Sequence, residues 1–274
     1  MLLCRSEDEN QKPPLLFLHG SYHGAWCWQE RFLPYFAEKG FNSYALSFRG
    51  QGNSDIVTGQ TVSGTLDSHA KDIGDLIAML PRPPVVVAHS FGGLILQKYL
   101  LGMSKGDATS SSLGLPPIAG AVFLCSVPPS GNKKLVGRYF MRDPLLSLRV
   151  TYGFIAKTFV NNLDACRELF FSESLPENEM RRYQAQLAQC SGVRLMDLQD
   201  VNKQVPLPAP PSHCPPVLVL GARNDVVVDV PAIEETAAYF STTPVIIEDL
   251  AHDCMLDTNW GKAAGKIDSW LQAL

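Results

Sequence analysis

Residues 85–93 read Val85-Val86-Val87-Ala88-His89-Ser90-Phe91-Gly92-Gly93. The run Val85 to Ala88 is uncharged, largely β-branched and preceded by Pro83-Pro84. A continuous apolar run of this kind suits a parallel strand buried on both faces. Leu94 to Leu101 then has a helical pattern, so the stretch predicts strand, sharp turn and helix. A serine at such a turn projects its hydroxyl from the sheet edge, with the next backbone N–H facing a reacting carbonyl. Small residues two before and two after the serine let strand and helix pack closely, which is the need encoded in the G-x-S-x-G elbow. Here the pattern is Ala88-His89-Ser90-Phe91-Gly92, with Ala88 in place of the first glycine.

On both sides, short β-rich runs alternate with longer helical patterns. Leu15–Leu18 is an apolar run ending in His19-Gly20, and Trp26 to Lys39 reads as a helix closed by Gly40. Ser43–Phe48 gives another strand, followed by the turn-rich stretch Arg49 to Asp55. Leu66 to Leu80 places Ile73, Leu76, Ile77 and Leu80 at helical spacing and stops at Pro81. After a polar loop, Ser104 to Gly114, a strand is predicted at Ala119–Cys125. Pro128 to about Cys214 shows helical patterns only, at Lys133–Met141, Pro144–Phe154, Leu163–Phe171 and Pro176–Cys190, and ends in the Pro-rich stretch Pro206 to Pro216. The alternation returns with Val217–Leu220, Pro231–Phe240, Val245–Ile247 and Trp260–Leu271. The expected fold is α/β, a mostly parallel central sheet flanked by helices. Residues 1–127 and 215–274 form its core, and residues 128–214 a helical insertion.

The 274 residues are 46% hydrophobic and 18% charged, with 13 Phe, 8 Tyr and 4 Trp, which excludes a disordered chain. Twenty-three basic against 27 acidic residues, net −4, leave no basic footprint for a nucleic acid. A spanning helix needs about 20 consecutive apolar residues, and no such stretch exists. The first residues, MLLCRSEDENQKPP, lack the basic and then long apolar segments of a secretory signal. Cys4, Cys27, Cys125, Cys166, Cys190, Cys214 and Cys254 are scattered without a CxxC pair, as in a reducing compartment, and read as small buried residues. These features predict a soluble intracellular protein, in the cytoplasm or in an organelle after loss of a targeting peptide. Transient contact with a membrane surface stays open. No HExxH and no paired Cys/His spacing appears, so neither a metal nor a cofactor is expected.

A serine hydroxyl is a poor nucleophile unless a base takes its proton. Of His19, His23, His69, His89, His213 and His252, only His252 follows the last strand on a loop before the final helix. His69 reads as lying on a polar helical face, and His213 sits among prolines. The acid that orients the imidazole is assigned to Asp225, on the loop directly after the strand at 217–220. Asp229 reads as a helix cap. Asp249, Asp253 and Asp257 are too near His252 in sequence to swing easily behind its ring. The order is Ser90, Asp225, His252.

That order and those loops resemble the α/β-hydrolase fold superfamily over nearly the whole chain. His19-Gly20-Ser21 is similar to its HG-x turn, Arg49-Gly50-Gln51-Gly52-Asn53-Ser54 to its R-G-x-G-x-S loop, Gly221 to Asp225 to its acid turn and Ala251-His252-Asp253 to its histidine loop. HGSYHGAWCW, His19 to Trp28, also resembles the plant methylesterase and hydroxynitrile lyase group. The lidded, lysophospholipase-like or monoacylglycerol-lipase-like serine esterases are the nearer type around the histidine. The resemblance implies an oxyanion hole from the backbone N–H groups of Ser21 and Phe91, and a cap at residues 128–214, after the sixth strand. Candidate substrate-binding residues are Tyr22, His23, His89, Tyr139 and Phe154, while Trp26 and Trp28 read mainly as helix packing. Apolar cap residues, among them Leu135, Phe140, Leu145, Leu146, Leu148, Tyr152, Phe170 and Phe171, are candidates for an acyl or alcohol pocket.

The expected activity is cofactor-free hydrolysis of a small-molecule carboxylic ester with a substantial apolar part, through an acyl-enzyme. Position 90 is Ser, whereas epoxide hydrolases and haloalkane dehalogenases need an aspartate nucleophile. Asp253 stands where plant hydroxynitrile lyases carry lysine. Acyl transfer, amide or carbon–carbon hydrolysis, and a ligand receptor or scaffold on the same fold stay open. So do the identity of the ester and the oligomeric state.

Overall fold

The computed structural model describes residues 1–6, 12–103, 113–190 and 192–274. Most of the expected polar loop, residues 104–112, lies outside these. In chain order the elements are β1 (Leu2–Cys4), β2 (Leu15–Leu18), α1 (Trp26–Gln29), α2 (Phe32–Glu38), β3 (Ser43–Leu46), β4 (Val62–Gly64), α3 (Leu66–Ile77), β5 (Val85–His89), α4 (Phe91–Gly102) and β6 (Gly120–Leu124). There follow α5 (Asn132–Arg142), α6 (Pro144–Ala156), a 3₁₀ turn at Thr158–Val160, α7 (Leu163–Phe170), α8 (Glu177–Cys190), β7 (Arg194–Met196) and α9 (Leu198–Gln204). The chain closes with β8 (Val217–Ala222), α10 (Val230–Tyr239), β9 (Val245–Ile247) and α11 (Trp260–Leu271).

Seven strands form one sheet in the order β1-β3-β2-β5-β6-β8-β9. All neighbours are parallel except β1, which runs antiparallel along β3. Every residue of β2, β5 and β6 is buried, as the apolar run at 85–88 predicts. Alternation divides their side chains between two faces. Leu15, Phe17, Val85 and Val87 pack with Trp28, Phe32, Phe36 and Ile267 of α1, α2 and α11. Leu16, Leu18, Val86 and Ala88 pack with Ile73, Leu94, Leu96 and Ile233 of α3, α4 and α10. The architecture is the expected one, a mostly parallel sheet covered by helices on both sides.

Strand β3 lies on one side of β2, and β5 on the other. The order reverses between β2 and β5, so the crevice at their carboxyl ends is the place where an open α/β sheet binds ligands. Ser90 follows β5 directly into that crevice.

Several local expectations are revised. The helix predicted over Trp26–Lys39 is two helices separated at Glu30–Arg31. An unbroken helix would place Pro34 in its interior, where it lacks a donor and crowds the carbonyl four residues back; the break puts Pro34 in the first turn of α2. Residues 128–214 are not helical throughout: β7 pairs in parallel with β4 through Val62↔Arg194 and Gly64↔Met196. The short strand β1 and helix α9 also escape the periodicity reading. His69 is not on a polar face; it is buried and its Nε2–H donates to the Leu195 carbonyl at 2.8 Å, joining α3 to β7. Among the described residues no helix is long and apolar enough to cross a membrane. All seven cysteines are free, and five are buried.

Candidate active site

Ser90 has φ 55° and ψ −124°, a conformation that costs an L-residue on the order of 1–3 kcal/mol. Its backbone is pinned on both sides: its N–H donates to Leu124 O at 3.1 Å, and its carbonyl accepts from Gly93 N at 3.0 Å and Val127 N at 3.1 Å. Glycines allow the crowding this turn requires. A Cβ on Gly92 would lie 2.5 Å from the His19 carbonyl oxygen, and one on Gly93 would collide with Ser126. Gly20, on the loop after β2, stands so close that an added Cβ would meet Ser90 Cβ at 2.7 Å. Ala88 in place of glycine is fully buried beneath the turn.

The structure brings Ser90, Asp225 and His252 together from the ends of β5, β8 and β9. His252 Nδ1 lies 2.8 Å from Asp225 Oδ2, and its Nε2 lies 3.1 Å from Ser90 Oγ. A carboxylate only accepts, so Nδ1 carries the hydrogen, and Nε2 accepts from the serine hydroxyl. The other carboxylate oxygen of Asp225 accepts the amides of Val227 at 2.7 Å and Val228 at 2.9 Å. Those amides fix the acid, and Asp225 fixes the ring. Burial works to lower the basicity of His252, but the charge and hydrogen bond of Asp225, with the charge of Asp253, outweigh it and raise the pKa above 6.5. The loops carrying acid and base are themselves joined, Arg223 N–H to Ile247 O at 2.9 Å and Asn224 N–H to Leu250 O at 3.0 Å.

Ser21 and Phe91 border the same crevice. Phe91 opens α4, so its amide belongs to the first-turn donors without an intrahelical acceptor. Ser21 is half-buried in the turn after β2. His19 braces this region: its Nδ1–H donates to Gly20 O at 2.7 Å, and its Nε2 accepts from Phe48 N at 3.0 Å. Burial foremost lowers its pKa to about 3, which keeps the ring neutral in that role.

A second buried histidine–aspartate pair lies beside the first. His23 Nδ1 donates to Ser21 O at 2.7 Å, and its Nε2 faces Asp253 Oδ2 at 2.8 Å. Asp253 therefore does not stand behind His252; it ties the histidine loop to the turn after β2. In sequence Asp253 is too near His252 to swing easily behind its ring, and no local pattern announces a partner 230 positions away. His89, within the elbow, is buried, its pKa driven well down by burial and then by His252, and its Nε2–H donates to the His252 carbonyl at 3.0 Å. Asp257 supports the same loop, accepting the amides of Ala251 at 3.2 Å and Ser172 at 3.0 Å. Asp229 caps α10 as expected, accepting Ala232 N at 3.1 Å, and also holds Arg138 of α5 through both carboxylate oxygens.

The remaining candidates divide. Tyr22 and Phe154 meet: their rings stack at 5.9 Å, and the Tyr22 hydroxyl donates to the Phe154 carbonyl at 3.0 Å. Tyr139 is buried, with its hydroxyl 3.3 Å from Asp225 O. Phe170 lies 6.4 Å from the His252 ring, and its carbonyl accepts Asp253 N at 2.9 Å. Phe140, Leu145, Leu148 and Tyr152 instead point largely into solvent. Trp26 stacks on His23 at 5.5 Å, and Trp28 is buried in the core. A cleft of about 950 Å³ lies between α6, α7 and the loops after β8 and β9. Its wall includes Tyr152 and Gly153 of α6 and, from the loops, Asn224, Val226 and Ala251, the chain neighbours of Asp225 and His252.

Ligating atoms of His89, His252 and Asp253 lie within 4.8 Å of one another, as do those of Cys125, Asp225 and His252. Both ring nitrogens of His252 are already engaged by Ser90 and Asp225, so an ion at either place would displace those bonds.

The profile of the alpha/beta hydrolase family matches residues 15–264. Methylesterase 2 of Arabidopsis thaliana is 33% identical over 91 residues, 32% of this chain and 34% of that protein. The match thus spans about a third of the curated relative's length. Among solved structures, an esterase from Exiguobacterium antarcticum superposes with a TM-score of 0.66 at 17% identity, covering 99% of this chain and 94% of that one. An esterase from Rhodococcus sp. ECU1013 gives 0.64 at 19% identity, covering 99% and 94%.

Proposed function

Because the chain belongs to the alpha/beta hydrolase family, we propose that it is a serine hydrolase of carboxylic esters with a substantial apolar part. The observation that carries this reading is the placement of His252 between Ser90 Oγ, at 3.1 Å, and Asp225 Oδ2, at 2.8 Å. The similarity to a methylesterase and the fold shared with esterases support the choice of ester chemistry.

In the first half-reaction Ser90 Oγ attacks the ester carbonyl while its proton passes to His252 Nε2. The imidazolium is stabilised by Asp225, which also holds the ring in the required tautomer. Negative charge on the carbonyl oxygen rests on the Phe91 and Ser21 amides; each such donor contributes about 3 kcal/mol. His252 then gives the proton to the departing alcohol, leaving the acyl group on Ser90. Water repeats the sequence, with its proton taken by His252, and releases the acid. No metal or cofactor enters these steps.

Residues 128–214 serve as a helical cap over a core of residues 1–127 and 215–274. The contacts of Tyr22 with Phe154 and of Phe170 with His252 support this role, because they lay α6 and α7 against the catalytic loops. Tyr22, Phe154 and Tyr139 line the approach, whereas His23 and His89 hold the loops in position.

The test pairs a covalent fluorophosphonate probe with a p-nitrophenyl ester series of increasing acyl length, alongside methyl and aromatic esters. Ser90→Ala is expected to abolish labelling and nearly all turnover. Undiminished hydrolysis by that variant overturns the proposal, and a folded wild-type protein that resists the probe points to a binding module instead.

A further inference from the structure

Exposed apolar surface is concentrated on one short segment. Leu145, Leu148, Tyr152 and Ile155 of α6 are 76%, 60%, 65% and 77% exposed. Their spacing of three, four and three places them on one face of the helix. Val136, Phe140 and Met141 of α5 are also exposed. Seven of the fifteen exposed large apolar residues among the described residues thus fall between positions 136 and 155. Single exposed apolar residues need no explanation, but a contiguous group marks a contact surface.

The same segment carries most unusual charge. Residues 132–157 contain Lys133, Lys134, Arg138, Arg142, Arg149 and Lys157 against Asp143 alone, in a chain of net charge −4. Lys133, Lys134, Arg142 and Arg149 are exposed, while Arg138 is held by Asp229 and Arg149 pairs with Glu168. Two helices therefore present apolar side chains and positive charge together. Helices that lie in a lipid interface combine these features: the apolar face enters the acyl boundary, and Lys and Arg meet anionic headgroups. A second copy of the chain is a poorer occupant, because a two-fold dimer through this face would set basic patch against basic patch.

We propose that α5 and α6 dock the protein onto a bilayer surface containing anionic lipid, through Phe140, Leu145, Leu148, Tyr152 and Ile155 together with Lys133, Lys134 and Arg142. The face adjoins the proposed site: Phe154, next to Ile155, is the residue whose carbonyl accepts the Tyr22 hydroxyl. Docking would then bring the cleft beside His252 to a lipid interface, where apolar esters concentrate. Adsorption itself requires no turnover, so it is measured separately from hydrolysis.

The experiment is flotation of the full chain, and of Ser90→Ala, with phosphatidylcholine vesicles containing or lacking phosphatidylglycerol. Both proteins are expected to bind the anionic vesicles at least about tenfold more tightly, and binding should weaken as salt rises. The double change Lys133→Glu/Lys134→Glu should weaken anionic binding about tenfold or more. Leu148→Ser/Ile155→Ser should weaken it about tenfold, while hydrolysis of a water-soluble p-nitrophenyl ester and the melting temperature stay at wild-type values. Absence of vesicle binding, equal binding to both vesicle types, or indifference to all four substitutions overturns the proposal. So does a dimer in sedimentation that Leu148→Ser disperses without any vesicle binding, which would make the face a self-association surface.

Discussion

Two buried histidine–aspartate pairs stand side by side, and their third contacts set them apart. His252 meets Asp225 on one nitrogen and the Ser90 hydroxyl on the other. His23 meets Asp253 on one nitrogen and the Ser21 carbonyl on the other. A hydroxyl has a proton to give and a carbonyl has none, so only the first pair can activate a nucleophile. The second joins two loops. A buried imidazole beside a carboxylate is thus insufficient to mark a catalytic base; the group on the far nitrogen decides its role.

The sharpest way to break this contrast is Asp225→Asn, which keeps the shape but removes the charge and favours the wrong tautomer. It should lower kcat about 10⁴-fold with little change in fold, measured by steady-state kinetics and circular dichroism. A loss under tenfold would remove Asp225 from the proposed role.

Gly20→Ala probes the crevice between the pairs. The new Cβ would meet Ser90 Cβ at 2.7 Å, and a displacement near 1 Å at a reacting group costs about 100-fold. Turnover should fall by that order while His252 still binds Asp225, which the downfield ring-proton resonance of His252 would report.

Acidification tests the first pair without substitution. His252 must be neutral to accept the serine proton, and its pKa is raised above 6.5. Activity is therefore present above that raised pKa and lost as pH falls through it, tenfold per pH unit at the limit. A kcat/KM profile whose acid limb lies below 6.5 contradicts the electrostatic reading.

The smallest catalytic effect is expected from Asp253→Ala. Removing one partner of a buried pair typically costs about 3–5 kcal/mol of stability. Denaturant melts should show that loss, while kcat at low temperature stays within about tenfold, with the acid limb shifted downward because one negative charge near His252 is gone. If kcat instead falls as far as in Asp225→Asn with stability intact, Asp253 acts in catalysis and the contrast fails.

What was legible in the residues follows from locality. The runs at 15–18 and 85–88 carry their burial in their own composition, and helices α3, α4, α10 and α11 are legible from their apolar patterns. Pro34 shows how a single residue within an otherwise helical pattern divides it. Strand β7 could not be read, because three residues, Arg194 to Met196, carry no periodicity and form a strand only where β4 meets them. His69 looked solvated for a similar reason: its acceptor, Leu195 O, is 126 positions away. In sequence the apolar residues of α6 are candidates for pocket lining or core packing alike, since composition tells that a side chain is apolar and not which face of a helix stays uncovered.

The α/β class, the sharp turn at Ser90 and the loops that carry Ser90, Asp225 and His252 are legible in the residues alone, because turn sterics and strand burial are properties of adjacent residues. That His252 reaches both Ser90 and Asp225, that His23 and Asp253 form a separate pair, and that α6 turns Leu145, Leu148 and Ile155 outward are properties of the folded chain. Hydrogen bonds and packing depend on distances of a few ångströms between segments far apart in the chain, and the sheet order brings those segments together.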